Sequence, residues 1–376
     1  MYTPRISGVV TSARILEQQL ARLGHRVYVF TTSDPQAPRF ESRTYRLPSA
    51  PFFLARDTHR MAYFYPPKLI LKIRRMHLDV VHTYTEFSLG FFGKFISQLY
   101  RIPMVHTYHT MYEDYLHYIP GGRFIDRKGA QYFSRLFCNG ADFVIAPSAA
   151  THTYLREIGV RRPIRTIPTG LDFGPFHPAR FSPGELAKAR AEVGLAADDK
   201  VVAVIGRVAR EKNIDVLVAM MPRLLLRIPK ARLLIVGDGP ARRELEAQAR
   251  GLGVSHAVIF AGFRPWTEIA KYYRLGHVFA TASTSETQGL TYAEAMAARI
   301  PVAIKKAPAF EGLVKDRHTG FIFENDADAA DTIATALTDT ALANRVALNA
   351  YTAVQPLSAE VFGLELDAVY KEIIRH

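Results

Sequence analysis

Glu286 and Glu294 bracket a segment that reads Ser-Glu-Thr-Gln-Gly-Leu-Thr-Tyr-Ala-Glu-Ala-Met-Ala from Ser285 onward. Seven residues lie between the two carboxylates, so they cannot share one face of a single helix, where partners sit three or four apart. The spacing predicts a loop followed by a helix. Glu286 then lies in the loop that leaves the apolar run Val278 to Ala282, and Glu294 in the first or second turn of a helix begun by Leu290. Between them, Gln288, Gly289 and Leu290 place backbone N–H groups at a helix N-terminus, which is an anion site. Hydroxyl-accepting carboxylates around a phosphate cradle are what a sugar nucleotide requires.

Two cations are placed to serve the same phosphate. Arg207 and Lys212 follow the apolar run Val201 to Ile205 in Gly-Arg-Val-Ala-Arg-Glu-Lys-Asn. Arginine grips a diphosphate through two N–H groups while lysine adds a compact charge, so the pair could stabilise a departing nucleoside diphosphate without a metal. A solvated basic loop is the plain alternative for the pair taken alone. Gly8, in Ser7-Gly-Val-Val-Thr-Ser, precedes an apolar helical run, and a glycine at a helix start admits a phosphate. Gly237, in Gly-Asp-Gly-Pro after Leu233 to Val236, is first a strand-to-helix turn and second a nucleotide contact. His109 closes the run Met104 to Thr107 at a strand tip, where an imidazole can hydrogen-bond a sugar hydroxyl or steady an acceptor. His106, inside that strand, reads as a core residue with its hydrogen bonds met. No histidine pairs with acids at metal spacing, and no Gly-x-Ser-x-Gly or Walker-type loop occurs.

These residues sit at the ends of short β-branched or aromatic runs that alternate with helical stretches: Val27 to Thr31, Val80 to Tyr84, Met104 to Thr107, Phe143 to Ala146, Val201 to Ile205, Leu233 to Val236, Val258 to Ala261, Val278 to Ala282 and Val302 to Lys305. Such alternation predicts right-handed βαβ units in parallel, doubly wound sheets, whose ligands bind beyond the carboxyl ends of the strands. Pro168 to Pro178 is dense in glycine and proline and marks a linker. The expected plan is α/β: a Rossmann-like domain over residues 1–172, a second over 173–355, and a cleft between them. Residues 356–376 follow as a terminal helix, with Val361, Leu364, Leu366, Val369, Tyr370 and Ile373 at helical intervals.

The 376 residues suffice for two domains with ample cores. At 48% hydrophobic and 22% charged residues the chain is ordinary globular protein, which excludes a disordered one. No apolar run reaches the ~18 residues of a spanning helix. The single cysteine, Cys138, excludes an intramolecular disulfide framework and a thiolate metal cluster, and reads as a small buried hydrophobe in a reducing cytoplasm. The net charge of +13 is unevenly placed: residues 1–180 hold 24 Lys and Arg against 12 Asp and Glu, the remainder 24 against 23. The first half is therefore expected to meet something polyanionic, an anionic membrane surface or nucleic acid. Pro66 to Met76, as a helix, would align Leu69, Ile73 and Met76 with Lys68, Lys72 and Arg75 alongside. That stripe could lie in a lipid interface or cover the sheet. Phe52, Phe53, Tyr63, Phe64, Tyr65, Tyr112, Tyr115 and Tyr118 add aromatic character nearby.

Taken together, Gly8, His109, Arg207 with Lys212, Gly237-Asp-Gly-Pro and Glu286 through Glu294 resemble the retaining glycosyltransferases of family 4, of GT-B architecture, along essentially the whole chain. Three longer strings sharpen the likeness: Tyr84-Thr-Glu-Phe-Ser-Leu-Gly, the stretch His106 to Ile119, and Tyr272-Tyr-Arg-Leu-Gly with Ser283 to Tyr292. They are similar to bacterial diacylglycerol 3-α-glucosyltransferases, peripheral enzymes of the inner membrane face. The resemblance implies a UDP-sugar-dependent, retaining hexosyltransferase that moves glucose from UDP-glucose to diacylglycerol, with no cofactor and no essential metal. It also implies roles. Arg207 and Lys212 hold the diphosphate, Gly8 faces it from the other domain, and Gln288 to Leu290 complete the cradle; Gly237 adds a nucleotide contact. Glu286 takes donor-sugar hydroxyls, Glu294 the ribose hydroxyls, and His109 the reacting face, while the terminal helix crosses back onto the first domain. The chain departs from the pattern twice. The family opens with a strand ahead of the glycine loop where this chain has Met1-Tyr-Thr-Pro, so the native start is expected upstream; and Tyr84 stands where histidine is common. The rival expectations are the same fold with a soluble or phosphoinositide acceptor, a sugar-nucleotide epimerase, and a basic nucleic-acid-binding protein. The last lacks a recognisable reading module, so no nucleic acid is expected.

Overall fold

Strands too short for hairpin turns, separated by helix-length segments, pair in parallel because a parallel neighbour needs a crossover. The computed structural model describes residues 2, 8–38, 41–51, 60–109, 127–284 and 289–374. It follows that rule in two units, Met1–Gly170 with Ala359–His376, and Leu171–Ser358. The division falls inside the Gly- and Pro-rich stretch, and the last helix returns to the first unit from Ala359 onward.

The first unit runs α1 (Gly8–Arg22), β1 (Val29–Thr32), β2 (Thr44–Leu47), β3 (Ser49–Pro51), β4 (Arg60–Ala62), α2 (Pro67–Arg74), β5 (Val81–Thr83), α3 (Ser88–Tyr100), β6 (Met104–Thr107), α4 (Arg127–Asn139), β7 (Phe143–Ala146), α5 (Ala149–Glu157) and β8 (Ile164–Thr166). Strands β5, β6, β7 and β8 form a parallel sheet in that order, while β1 pairs in parallel with β2 alone and β3 with β4 antiparallel. Alternate residues of the sheet feed opposite faces. Val105, Phe143 and Ile145 pack on α1 and the terminal helix, and Met104, Val144 and Ala146 pack among Phe137, Cys138 and Leu155. Cys138 is buried, and burial raises its thiol pKa.

The second unit runs α6 (Pro183–Glu192), β9 (Lys200–Ile205), α7 (Ile214–Ala219), α8 (Met221–Arg227), β10 (Ala231–Val236), α9 (Arg242–Gly251), β11 (Val258–Gly262), α10 (Trp266–Leu275), β12 (Val278–Thr281), α11 (Leu290–Ala297), β13 (Val302–Lys305), β14 (Phe321–Phe323), α12 (Ala329–Thr338) and α13 (Thr340–Val354). Its six strands are all parallel, in the order β11-β10-β9-β12-β13-β14. This is the strand order of a Rossmann sheet, whose order reverses between β9 and β12. Val202, Val204, Leu233 and Ile235 face one helical layer, and Val201, Ile205, Leu234 and Val236 face the other, so both surfaces of the sheet are covered.

Two expectations about helices are refined. The apolar stripe of α2 covers the core: Ile73 is buried, and Leu69 and Met76 pack against the cluster of Leu47, Phe92 and Ile96. Its cations Lys68, Lys72 and Arg75, with Arg26, instead line a surface depression of 620 Å³ beside Tyr28 and Tyr45. Phe52, Phe53, Tyr112, Tyr115 and Tyr118 lie outside the described residues. The terminal helix, α14 (Ala359–Ile374), buries Phe362, Leu366, Val369 and Tyr370 and leaves Leu364 exposed. It crosses α1 at Gly363, where an added Cβ would stand 2.5 Å from the Gln19 Cβ. Because that neighbour is the root of a side chain, it cannot swing away. Gly363→Val is expected to cost ~1–3 kcal/mol of stability by overpacking this crossing, read as a lowered urea midpoint; an unchanged midpoint would show that the two helices can part freely.

Candidate functional site

The loops that leave β9 and β10 lie backbone against backbone. An added Cβ at Gly237 would stand 1.8 Å from the Gly206 carbonyl oxygen, and one at Gly239 would stand 2.2 Å from that of Val208. Gly206 and Gly237 also hold φ of 144° and 141°, a region that side chains disfavour. Main-chain bonds close the contact, Val208 N–H donating to Asp238 (3.0 Å) and Ala241 N–H to Val208 (3.1 Å). Gly237 therefore has a packing role that stands independently of any ligand. A second tie runs across the order reversal. The Asn213 amide donates to the Ala282 carbonyl at 3.1 Å and the Ser283 hydroxyl to the Glu211 carbonyl at 3.4 Å. Asn213 is in the left-handed region, φ 49°, which asparagine tolerates better than most residues.

These ties fasten the stretch carrying Arg207 and Lys212 to the end of β12. Arg207 is half exposed, its guanidinium 3.7 Å from the Glu211 carboxylate. Lys212 ends a 3-10 turn, Arg210–Lys212, and is half-buried. At the end of β12 the chain enters α11 through Gly289, which is left-handed (φ 71°) and buried, its Cα against Tyr292 and Phe310. Its N-cap residue, Gly289, has no side chain to cap α11, and the first N–H groups of a helix are where an anion binds. Glu286 and Gln288 lie outside the described residues.

Glu294 occupies the second turn of α11 and is 7% exposed. Its Oε2 accepts a hydrogen bond from the Tyr273 hydroxyl at 2.6 Å. Burial pushes its pKa up to about 7, against the hydrogen bond from Tyr273 that draws it down. The carboxyl is thus held by protein on one oxygen, with protonated and ionised forms close in free energy near neutral pH. No motif marks Tyr273 or Asn213 as a site residue. Tyr273 falls in the Tyr-Tyr-Arg-Leu-Gly string and Asn213 closes the Arg207 string; only the tertiary contacts reveal what each holds.

In the first unit His109 lies just past β6 and stacks on Tyr84, ring centroids 5.3 Å apart and planes within 13°. Tyr84 stacks in turn on His82 at 4.7 Å. His82 is fixed at both nitrogens, Nδ1 lying 2.5 Å from the Tyr370 hydroxyl of α14 and Nε2 2.7 Å from the Thr107 hydroxyl. Desolvation lowers the pKa of both His82 and His109 to about 3, reinforced by His106, so the column is neutral at ordinary pH. The His109 Nε2 is buried and has no hydrogen-bond partner among the described residues. His106 is a satisfied core residue, its Nε2 3.2 Å from the Glu86 carboxylate and its Nδ1 2.9 Å from the Thr83 hydroxyl. Gly8 is the first residue of α1 and is exposed, and among the described residues no packing neighbour lies within 4 Å of where its Cβ would stand.

Comparison with known proteins matches both units. Residues 6–174 fit the family model "Glycosyltransferase Family 4", and residues 187–353 fit "Glycosyl transferases group 1". The chain is 37% identical over 374 residues to an alpha-monoglucosyldiacylglycerol synthase of Streptococcus pneumoniae, covering 99% of this chain and 84% of that protein. It is 30% identical to the synthase of the same name from Acholeplasma laidlawii, covering 99% and 95%. Among solved structures, Anabaena HepE in complex with UDP and glucose superposes with a TM-score of 0.79 at 22% identity, over 99% of this chain and 98% of that one.

The Glu294 carboxyl provides a test of the site in the ligand-free protein. It titrates near 4.5 in an unfolded chain and about 7 when folded, so the folded state binds more protons between those values. Its contribution to stability is full below about 4.5 and is lost as pH rises through 7. The stability difference between wild type and Glu294→Gln is expected to change across that window in urea titrations, and a difference independent of pH would place the carboxyl in water.

Proposed function

The chain belongs to glycosyltransferase family 4, and from that premise we propose that it moves glucose from UDP-glucose to the free hydroxyl of diacylglycerol with the α configuration retained. The observation that carries the reading is the tie between the Arg207–Lys212 stretch and the end of β12. It fastens the stretch that carries two cations to the strand that leads into α11, at one strand-order reversal, where α/β sheets take their ligands. The acceptor is inferred from the two relatives named as monoglucosyldiacylglycerol synthases.

On this reading the guanidinium of Arg207 and the ammonium of Lys212 hold the diphosphate and take up the charge that grows on it as the bond to the anomeric carbon breaks. The α11 N–H groups from Gln288 to Leu290 complete the cradle, and no metal is required. Glu286 accepts hydrogen bonds from the donor sugar. Glu294 accepts the ribose hydroxyls on the oxygen that Tyr273 leaves available. The acceptor hydroxyl attacks from the face that the diphosphate leaves, and the departing phosphate oxygen takes its proton. His109 stays neutral and meets the reacting face of the sugar without adding charge. Gly8, which has no close packing neighbour among the described residues, would face the diphosphate from the start of α1.

The basic first unit is proposed to meet the anionic inner face of the cell membrane from the cytoplasm, with the cations of α2 exposed for that contact. Among the described residues no helix is long and apolar enough to cross a membrane.

Incubation with radiolabelled UDP-glucose and diacylglycerol is expected to yield an α-glucosyl lipid, identified by its anomeric coupling. A β product, or label found only on a soluble acceptor, would overturn the reading. Lys212→Ala is expected to lower kcat ~10²–10³-fold. Glu294→Ala should chiefly weaken UDP-glucose binding with a smaller change in kcat. Wild-type turnover in the Lys212 variant would remove the diphosphate assignment.

A further inference from the structure

Helix α3 is apolar on the side that faces water as well as on the side that faces the core. Phe92 and Ile96 are buried against α2, whereas Phe91, Phe95 and Leu99, one turn apart, are 50%, 46% and 49% exposed. Helix α4 lies alongside, with the Phe91 ring edge-on to Phe137 at 5.6 Å, and it turns Tyr132 and Leu136 outward at 57% and 56% exposure. A helix whose outer face meets only water carries polar residues there. Contiguous outward aromatics and leucines mark a surface that meets another phase or partner.

The charges nearby identify the partner. Neither α3 nor α4 contains an aspartate or a glutamate. Their charged residues are Lys94, Arg127, Lys128 and Arg135, and Arg101 follows at the end of α3. Lys128, Arg135 and Arg101 are exposed, with the Arg135 guanidinium 5.1 Å from the centre of the Tyr132 ring. An apolar strip on two helices whose own charges are all basic is complementary to an anionic lipid surface, where rings and leucines enter between headgroups and cations pair with phosphates. A watery protein partner of mixed charge would call for some acids in return. Of the large apolar residues of α2 only Leu71 is exposed, since Ile73 is buried and Leu69 and Ile70 pack against the core.

We propose that the outer face of α3 and α4, centred on Phe91, Phe95, Leu99, Tyr132 and Leu136, is the surface by which this protein inserts into an anionic lipid interface. This deepens the proposed function, on which it rests for its lipid partner. The strip from Phe91 to Leu99 runs about 12 Å along the helix, enough to set one side of the first unit into the headgroup region. Helix α2 then adds only long-range attraction through its cations.

The test compares the full chain with the variant Phe95→Ser/Leu99→Ser/Leu136→Ser, whose sites are exposed, after circular dichroism establishes equal melting. A second variant, Lys128→Glu/Arg135→Glu, probes the rim. Wild type is expected to co-sediment with vesicles of phosphatidylcholine and phosphatidylglycerol, and each variant to bind them roughly tenfold or more weakly. Transfer to a short-chain, monomeric diacylglycerol should be unchanged. The proposal fails if the triple variant sediments like wild type, if wild type ignores the vesicles, or if the triple variant instead shifts from dimer to monomer, which would assign the face to a second copy. Vesicle binding that the variants lose, without glucose transfer by wild type, would uphold this surface and remove the acceptor reading. Glucose transfer by wild type, with variants that bind vesicles normally, would do the reverse.

Discussion

The chemistry of the second unit depends on the close approach of three strand ends. Strands β10, β9 and β12 run side by side, and their loops can touch only because Gly237 and Gly239 bring no side chain between the β9 and β10 backbones. Asn213 and Ser283 then carry the contact across to β12. An arginine and a lysine on an unfastened surface loop would be screened and mobile, worth little to a phosphate. Tied down at a strand-order reversal near the start of a helix, they are suited to a preorganised anion site. The cost of that arrangement is visible in the backbone, where Gly206, Gly237, Asn213 and Gly289 all sit at positive φ.

The first unit solves a different problem, presenting polar groups without charge. His82, Tyr84 and His109 form a stacked column, and burial depresses both imidazoles far below neutrality. Tyr370 reaches this column from the last helix of the chain, so the C-terminal residues help orient a group that follows β6. Helix α14 can do so because Gly363 lets it approach α1 closely. Charge is thus placed on one unit's strand ends and neutral hydrogen bonding on the other's.

Much of this was legible in the sequence, for a physical reason. All nine β-branched runs are strands, because parallel strands covered on both faces need continuous apolar residues. The strands that were missed, β2, β3, β4, β8 and β14, are three or four residues long, and several carry arginine or proline in place of an apolar run. The α2 stripe was visible as a stripe, but periodicity reports which side of a helix is apolar and not whether protein or lipid covers it. Helix α3 shows the same limit, with Phe92 and Ile96 buried while Phe91, Phe95 and Leu99 face outward. Glu294 was found by its spacing from Glu286, yet its burial and its bond to Tyr273 come from a helix two elements earlier, which no local pattern encodes. Glu286 and Gln288 were equally legible as motif residues, and their geometry lies outside the described chain.

The central claim is that a nucleoside diphosphate is gripped by Arg207 and Lys212 at the end of β9, and titration calorimetry tests it most directly. UDP is expected to bind the wild-type protein in one-to-one stoichiometry, and a charge-removing change at both positions, made without loss of cooperative unfolding, is expected to abolish the heat. Equal affinity of UDP for the doubly substituted protein would contradict the account.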